Sequence, residues 1–201
     1  MSTALPVSRG TYLVDVIRHS RVLDAALILS GAAFIVLAAR ITIPLGFTPV
    51  PITLSTFAVM VNGAVLGSWR GASSALLYLV IGALGAPVFS AGQSGVSFPT
   101  FGYIVGFVVA ALVVGQLARR EADRKVGTTL LLGGIGTIVI YAFGVPWLAV
   151  SLGVDLGRAV LLGVVPFLVG DALKIVVLSA LLPTAWKAVA LLVAPTSKPR
   201  Q

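Results

Sequence analysis

Long apolar runs, broken by isolated charges and by clusters of proline and glycine, make up nearly the whole chain. Residues 22–39 are apolar apart from Asp24, and Arg40 closes the run. Residues 41–69 carry no charge, but 41–51 hold Pro44, Pro49 and Pro51. Each proline removes a backbone donor and biases the residue before it away from helix. A second helix is therefore predicted from near Ile52 or Thr53 to near Gly67, with Arg70 marking a short turn. Residues 71–118 are again uncharged, enough for two spans of about 20 residues each. Gly82, Gly85 and Pro87 stop the first of these, and the Gly- and Ser-rich stretch 90–99 reads as a loop. The fourth helix is expected over 101–117. After the charged segment 119–125, a fifth is expected over 127–143, ended by Gly144 and Pro146. Asp155 is placed to cap a short helix reaching Leu162. Pro166, at a favoured first-turn position, is expected to open a sixth span through Leu182 and beyond a kink at Pro183.

Composition supplies the solvent for this pattern. Of 201 residues, 58% are hydrophobic and 10% charged, against about a quarter charged in soluble domains. A fold of this size cannot hide so much apolar side-chain mass from water, so lipid must face most of it. The expectation is an all-α integral membrane protein with six transmembrane helices. Residues 1–21 form an N-terminal segment, 22–193 one six-helix transmembrane domain, and 194–201 a tail. The first apolar run exceeds the roughly 7–15 residues of a signal-peptide core, so it is expected to be retained. The chain has no cysteine, which excludes disulfides, thiolate metal sites and cysteine nucleophiles.

The formal charge of +8 orients the chain rather than suggesting nucleic acid, because the basic residues lie between apolar runs. With both termini cytoplasmic, the inner segments hold Arg9, Arg18, Arg21, Arg70, Arg119, Arg120, Arg124, Lys125, Lys187, Lys198 and Arg200. The outer loops then hold only Arg40 and Arg158, and Lys174 lies within the sixth span. Eleven against two fits the rule that positive loops stay inside, and an even number of spans puts both termini on one side. The outer loops 41–51 and 85–100 are long, uncharged and aromatic (Phe47, Phe89, Phe98). Irregular backbone near membrane depth needs protein or a water-filled cavity around it, so these loops are expected to fold over an outward-facing site.

Candidate chemistry centres on Pro166-Phe-Leu-Val-Gly-Asp-Ala-Leu-Lys174. Asp171 and Lys174, three apart on a helix, share a face. An ionisable residue in a span costs at least about 2.5 kcal/mol on insertion scales and normally faces the interior with a function. A small-molecule site would use Lys174 for a carboxylate and Asp171 for urea or amide N–H groups. The alternative is a self-satisfied pair that only ties helices together. No G-x-x-x-x-G-K-[ST] phosphate loop occurs, so ATP would have to be hydrolysed elsewhere. Asp24 sits at one end of the first span, and the single His19 reads as a surface residue. No nucleophile–base pair or metal cluster is spaced for catalysis, so neither enzyme activity nor a cofactor is expected. Ala25, Ala26, Ser30 and Ala33 would let another helix approach closely, within the chain or on a partner. Gly63, Gly67 and Gly71 suit tight packing within the chain, and Met60 reads as a lipid-facing or packing residue.

Several stretches together resemble the BioY family, the biotin-specific substrate-binding components of energy-coupling-factor transporters. They are Ile43-Pro-Leu-Gly-Phe-Thr-Pro-Val-Pro-Ile-Thr-Leu-Ser-Thr-Phe-Ala-Val59, Gly63-Ala-Val-Leu-Gly67, Tyr78-Leu-Val-Ile-Gly-Ala-Leu-Gly-Ala-Pro-Val-Phe89, Pro99-Thr-Phe-Gly-Tyr-Ile-Val-Gly-Phe107 and the 166–174 segment. The resemblance covers roughly residues 25–185. It implies six helices in the cell membrane and biotin capture near the outer face. It also implies uptake driven by a transmembrane coupling protein and two cytoplasmic ATPases. Asp171 and Lys174 match the family's Asp-x-x-Lys position, and biotin offers a ureido ring and a valerate carboxylate. Phe47 and Thr53 in the first stretch, with Gln93 and Tyr103 around the second long loop, complete the candidate contacts. Ser55 stands where the family often has Gln, and Phe98-Pro-Thr-Phe-Gly-Tyr103 where it commonly has Gly-Pro-Thr-Gly-Gly-Tyr, which bears on the loop's side-chain contacts. A self-sufficient vitamin carrier and a non-transport membrane scaffold are the competing readings.

Overall fold

The structure, a computed structural model, describes residues 12–16 and 20–193. Arg9, Arg18, His19, Lys198 and Arg200 lie outside the described residues.

Seven α-helices account for most of the described chain. Helix α1 spans Arg21–Arg40, with Ser20 as its N-cap accepting from the Leu23 N–H at 3.2 Å. Strands β1 (Thr42–Ile43) and β2 (Ile52–Thr53) pair antiparallel, Thr42 with Thr53 and Ile43 with Ile52. This ladder closes the proline-rich loop at its base. Helices α2 (Ser55–Leu66) and α3 (Ser68–Ala83) follow, then α4 (Phe101–Arg119) and α5 (Val126–Leu152). The short α6 (Leu156–Gly163) leads through a 3₁₀ turn, Val165–Phe167, into α7 (Leu168–Val193). Asp155 caps α6 as expected, its carboxylate accepting from the Arg158 N–H at 2.9 Å.

Among the described residues, four helical stretches are long and apolar enough to cross a membrane: 21–40, 101–119, 126–152 and 156–191. Helices α2 and α3, of 12 and 16 residues, extend only about 18 and 24 Å at 1.5 Å per residue. Both fall short of a hydrocarbon core about 30 Å thick. They pack between α1 and α4 as a tight pair.

Three boundaries differ from the sequence expectation. The break between α2 and α3 falls at Gly67, whose φ of +91° suits glycine. Arg70 therefore lies in the first turn of α3 and not in a turn. Its guanidinium is held by Asp24 at 2.8 Å and Asp15 at 3.3 Å, so Asp24 ties helices together there. Pro146 does not end α5, which runs on to Leu152 and stops at the left-handed Gly153. Apolar helices tolerate an internal proline when neighbours re-satisfy the freed backbone. Pro166 lies in the 3₁₀ turn, which puts Asp171 in the first turn of α7; that helix continues past Pro183 to Val193.

Glycines set the helix spacing. A Cβ on Gly63 would lie 2.8 Å from the Ala111 carbonyl of α4, and one on Gly71 2.9 Å from the Asn62 carbonyl. Ala25, Ala26, Ser30 and Ala33 are all exposed; the close approach of α1 to α3 runs instead through Gly31, which faces Ser74. Met60 is fully buried, in an apolar cluster with Val114, Leu132, Leu178 and Leu182. Near that cluster, the Trp186 indole N–H donates to Asp123 at 2.6 Å, and the Arg124 guanidinium lies 4.3 Å over the Trp186 ring. Burial pushes the Asp123 carboxyl up, opposed by the Trp186 bond and the Arg124 charge. A second, aromatic cluster fills the end of the bundle that carries the two long loops.

Candidate ligand-binding cavity

The aromatic cluster contributes Tyr78, Phe89, Tyr103 and Phe107 to the wall of a cavity. Phe107, Tyr78, Phe89, Phe98, Phe101 and Trp147 form a continuous series of ring contacts with centroids 5.2 to 6.4 Å apart. These separations lie in the range where aromatic pairs attract beyond their burial. Phe101 stands at one of the family-departing positions of the second loop, and it joins this series rather than opening the loop. Phe89 and Phe98 are both buried, and the loop of 85–100 contributes Phe89, Ser90 and Thr100 to the wall. It is fastened at both ends: Arg40 donates to the Pro87 carbonyl at 2.8 Å, and the Trp147 N–H to the Phe98 carbonyl at 3.0 Å. The loop of 41–51 is held by Thr48, whose hydroxyl donates to the Leu162 carbonyl at the end of α6 at 2.8 Å.

The polar end of the cavity lies between α2, α5 and α7. Lys174 donates to Asp171 at 2.9 Å and to the Thr56 hydroxyl at 3.0 Å. The Tyr141 hydroxyl donates to the other Asp171 oxygen. Asp171 is 6% exposed, and such a carboxylate is tolerable only when paired and hydrogen-bonded. Here a cation occupies one oxygen and a phenol the other. Lys174 and Asp171 thus form a net-neutral dipole among the residues lining the cavity, and neither headgroup's hydrogen-bonding capacity is exhausted by these bonds.

Of the six sequence candidates, Asp171, Lys174, Thr53 and Tyr103 line this cavity together. Thr53 shares a hydrogen bond with Ser55 at 3.0 Å. The Tyr103 hydroxyl donates to the Gly163 carbonyl at 3.0 Å, so Tyr103 offers the cavity its ring. Gln93 lines a separate hollow between the two long loops, with Thr42, Pro44 and Thr48. That hollow shares Pro51 with the cavity. Phe47 lies at the exposed tip of its loop, 67% accessible and outside both. Sequence reasoning missed Thr56, Thr137 and Tyr141. Thr137 and Tyr141 carry a usable signal: polar residues four apart in a charge-free apolar helix share one face.

The model of the BioY family matches residues 11–191. The chain is similar to the biotin transporter BioY of Rhizobium etli, 38% identical over 151 residues, covering 69% of this chain and 79% of the relative. It is also similar to the biotin transporter BioY of Thermotoga maritima, 40% identical over 148 residues, covering 72% of this chain and 85% of the relative. Its fold resembles the 2.1 Å crystal structure of an S-component for biotin from an ECF-type ABC transporter. That match has a TM-score of 0.74 at 23% identity, over 85% of this chain and 95% of the other. With its apolar helices, this is a multi-pass membrane protein, and the chain belongs to the BioY family.

Proposed function

We propose that this chain is the biotin-binding membrane component of an energy-coupling-factor uptake transporter in the cell membrane. It captures biotin at the outer face. A transmembrane coupling protein and two cytoplasmic ATPases then drive delivery inward. The observation that carries the reading is the Asp171–Lys174 pair at the polar end of an aromatic cavity. The relatives named biotin transporters support it.

The geometry favours a different division of labour from one charge for each end of biotin. The two headgroups are 2.9 Å apart, whereas the ureido ring and the carboxylate lie at opposite ends of an extended biotin. One end of the ligand must therefore meet both residues. The pair is net neutral and dipolar, so an anion beside Lys174 would also face Asp171. A cyclic urea edge presents an N–H beside a C=O, which matches Asp171 as acceptor and Lys174 as donor. The aromatic wall then covers the apolar rest of the ligand.

The decisive experiment is titration of the purified chain with biotin, followed by uptake in vesicles with and without the ATPase partners. Saturable binding by the chain alone, with accumulation only when the partners and ATP are present, is the expected result. Accumulation by the chain alone would establish the self-sufficient carrier. Absence of saturable binding would leave the scaffold.

The proposed topology has six spans, with α2 and α3 crossing as a short pair and both termini cytoplasmic, supported by the eleven-to-two placement of Lys and Arg. Because the chain has no cysteine, single cysteines report sidedness directly. A cysteine at exposed Ser94 should react with an impermeant reagent from outside, and one at exposed Lys125 only after the membrane is opened. The reverse pattern overturns the orientation.

A further inference from the structure

Thr137 is a buried hydroxyl without a partner. Its oxygen is closed off from the surface and makes no hydrogen bond among the described residues. Helical serines and threonines usually bond back to a carbonyl three or four residues earlier. Ser74, Thr129, Ser179 and Thr184 all do so here, whereas Thr137 does not. Buried polar groups of native proteins are nearly always satisfied, so a partner from outside the fold is called for.

Its location says where that partner sits. Thr137 lines the same cavity as Asp171 and Lys174. On α5 it is one turn from Tyr141, which bonds Asp171. One turn the other way, a Cβ on Gly133 would lie 3.0 Å from Ile175 of α7. Thr137 is therefore level with the 171–174 turn of α7 across the cavity. Thr56, on the remaining side, accepts from Lys174 and so keeps its own proton for donation.

We propose that Thr137 is a ligand-binding residue whose hydroxyl donates to the ureido oxygen of biotin, beside Lys174. This rests on the biotin reading above and adds a selectivity element to it. A carbonyl oxygen with two lone pairs accepts from both donors, while Asp171 takes the N–H. A ring lacking that oxygen would leave the Thr137 hydroxyl buried and unmatched.

The test uses the full chain, wild type and the variants Thr137→Val and Thr137→Ser. Each is titrated with biotin and with an analogue whose ureido oxygen is replaced by sulfur, a weaker acceptor. Ligand-free melting is measured alongside. Thr137→Val should bind biotin about 2- to 12-fold more weakly, the net worth of one neutral hydrogen bond. Thr137→Ser should stay near wild type. The preference for oxygen over sulfur should shrink in Thr137→Val alone. The ligand-free melting temperature of Thr137→Val should equal or exceed that of wild type, because an unpaired hydroxyl is removed. Unchanged biotin affinity in Thr137→Val overturns the proposal, as does an unchanged oxygen-to-sulfur preference. A lowered ligand-free melting temperature also overturns it, since the hydroxyl would then already be bonded within the fold. If wild type binds no biotin, the functional reading fails first, and the melting comparison still judges whether the hydroxyl is unpaired.

Discussion

Replacing Lys174 with alanine is expected to weaken biotin binding by roughly 10- to 150-fold. Hydrogen bonds to charged groups contribute about 1.5–3 kcal/mol net, and each 1.4 kcal/mol is a factor of about ten. The same change strands Asp171, 6% exposed, with Tyr141 as its remaining hydrogen-bond partner in the site. Breaking a buried pair from one side typically costs about 3–5 kcal/mol of stability, so ligand-free melting should fall as well. Affinity alone would then mix two effects, and ligand preference separates them. The second ligand is a biotin analogue whose carboxylate is an uncharged amide. With the ureido edge on the Asp171–Lys174 dipole, Lys174→Ala weakens both ligands equally and their affinity ratio stays at the wild-type value. With the carboxylate on Lys174, the ratio collapses toward one.

Asp171→Asn is the companion. It keeps the shape and one carbonyl acceptor while removing the charge. Both ligands retain the ureido ring, so both should weaken to a similar degree. Titration of the two ligands against folded wild type and each variant decides the matter. Wild-type affinity for both ligands in Lys174→Ala would remove the pair from the site altogether and leave it as a tie between helices.

Much of this site is legible in the amino-acid sequence, for a physical reason. A charge inside an apolar helix is costly enough to announce itself, so Asp171 and Lys174 stand out of a single sequence. Their neighbours Thr56, Thr137 and Tyr141 carry no such penalty. A hydroxyl in a span is ordinary, because it can bond back to its own helix, and only the three-dimensional arrangement reveals that Thr137 does not. The loops show the converse. Phe47, Phe89 and Phe98 look alike in sequence, yet two are buried in the aromatic cluster and Phe47 is exposed at a tip. Side-chain direction in irregular backbone follows no period, so nothing along the chain separates them. Proline read as a stop holds beside the loops, at Pro51 and Pro87, and fails inside the bundle, at Pro146. In water, proline inside a helix is strongly disfavoured; in an apolar bundle α5 carries Pro146 and α7 carries Pro183 without ending. The breaks fall instead at Gly67 and Gly153, where φ is positive.

The glycine spacing leads to a second stability effect, at a distance from the cavity. Gly115 of α4 lies against the turn between α2 and α3. A Cβ there would run into the backbone N and Cα of Ser68 and lie 2.8 Å from the carbonyl carbon of Gly67. A flexible side chain could rotate away, but backbone at a turn cannot. Gly67 has nowhere to retreat, because the Tyr12 ring fills the space where its own Cβ would be. One turn earlier on α4, the Ala111 carbonyl makes the matching close approach to Gly63. Gly115→Ala must therefore lift α4 off the turn along two successive contacts. Overpacking of this kind costs about 1–3 kcal/mol, occasionally more. At about 2–4 °C per kcal/mol for a chain of this size, the upper end corresponds to a fall of about 6–12 °C. Gly134→Ala on α5 is the control, since no atom lies within 4 Å of its Cβ position. Alanine in a helix interior is favoured over glycine by roughly 0.5–1 kcal/mol, so this variant should melt at or above wild type. Melting of the two purified variants in the same detergent makes the comparison. Equal melting temperatures would mean that α4 can move off the turn freely, and that the glycines do not set the spacing of the bundle.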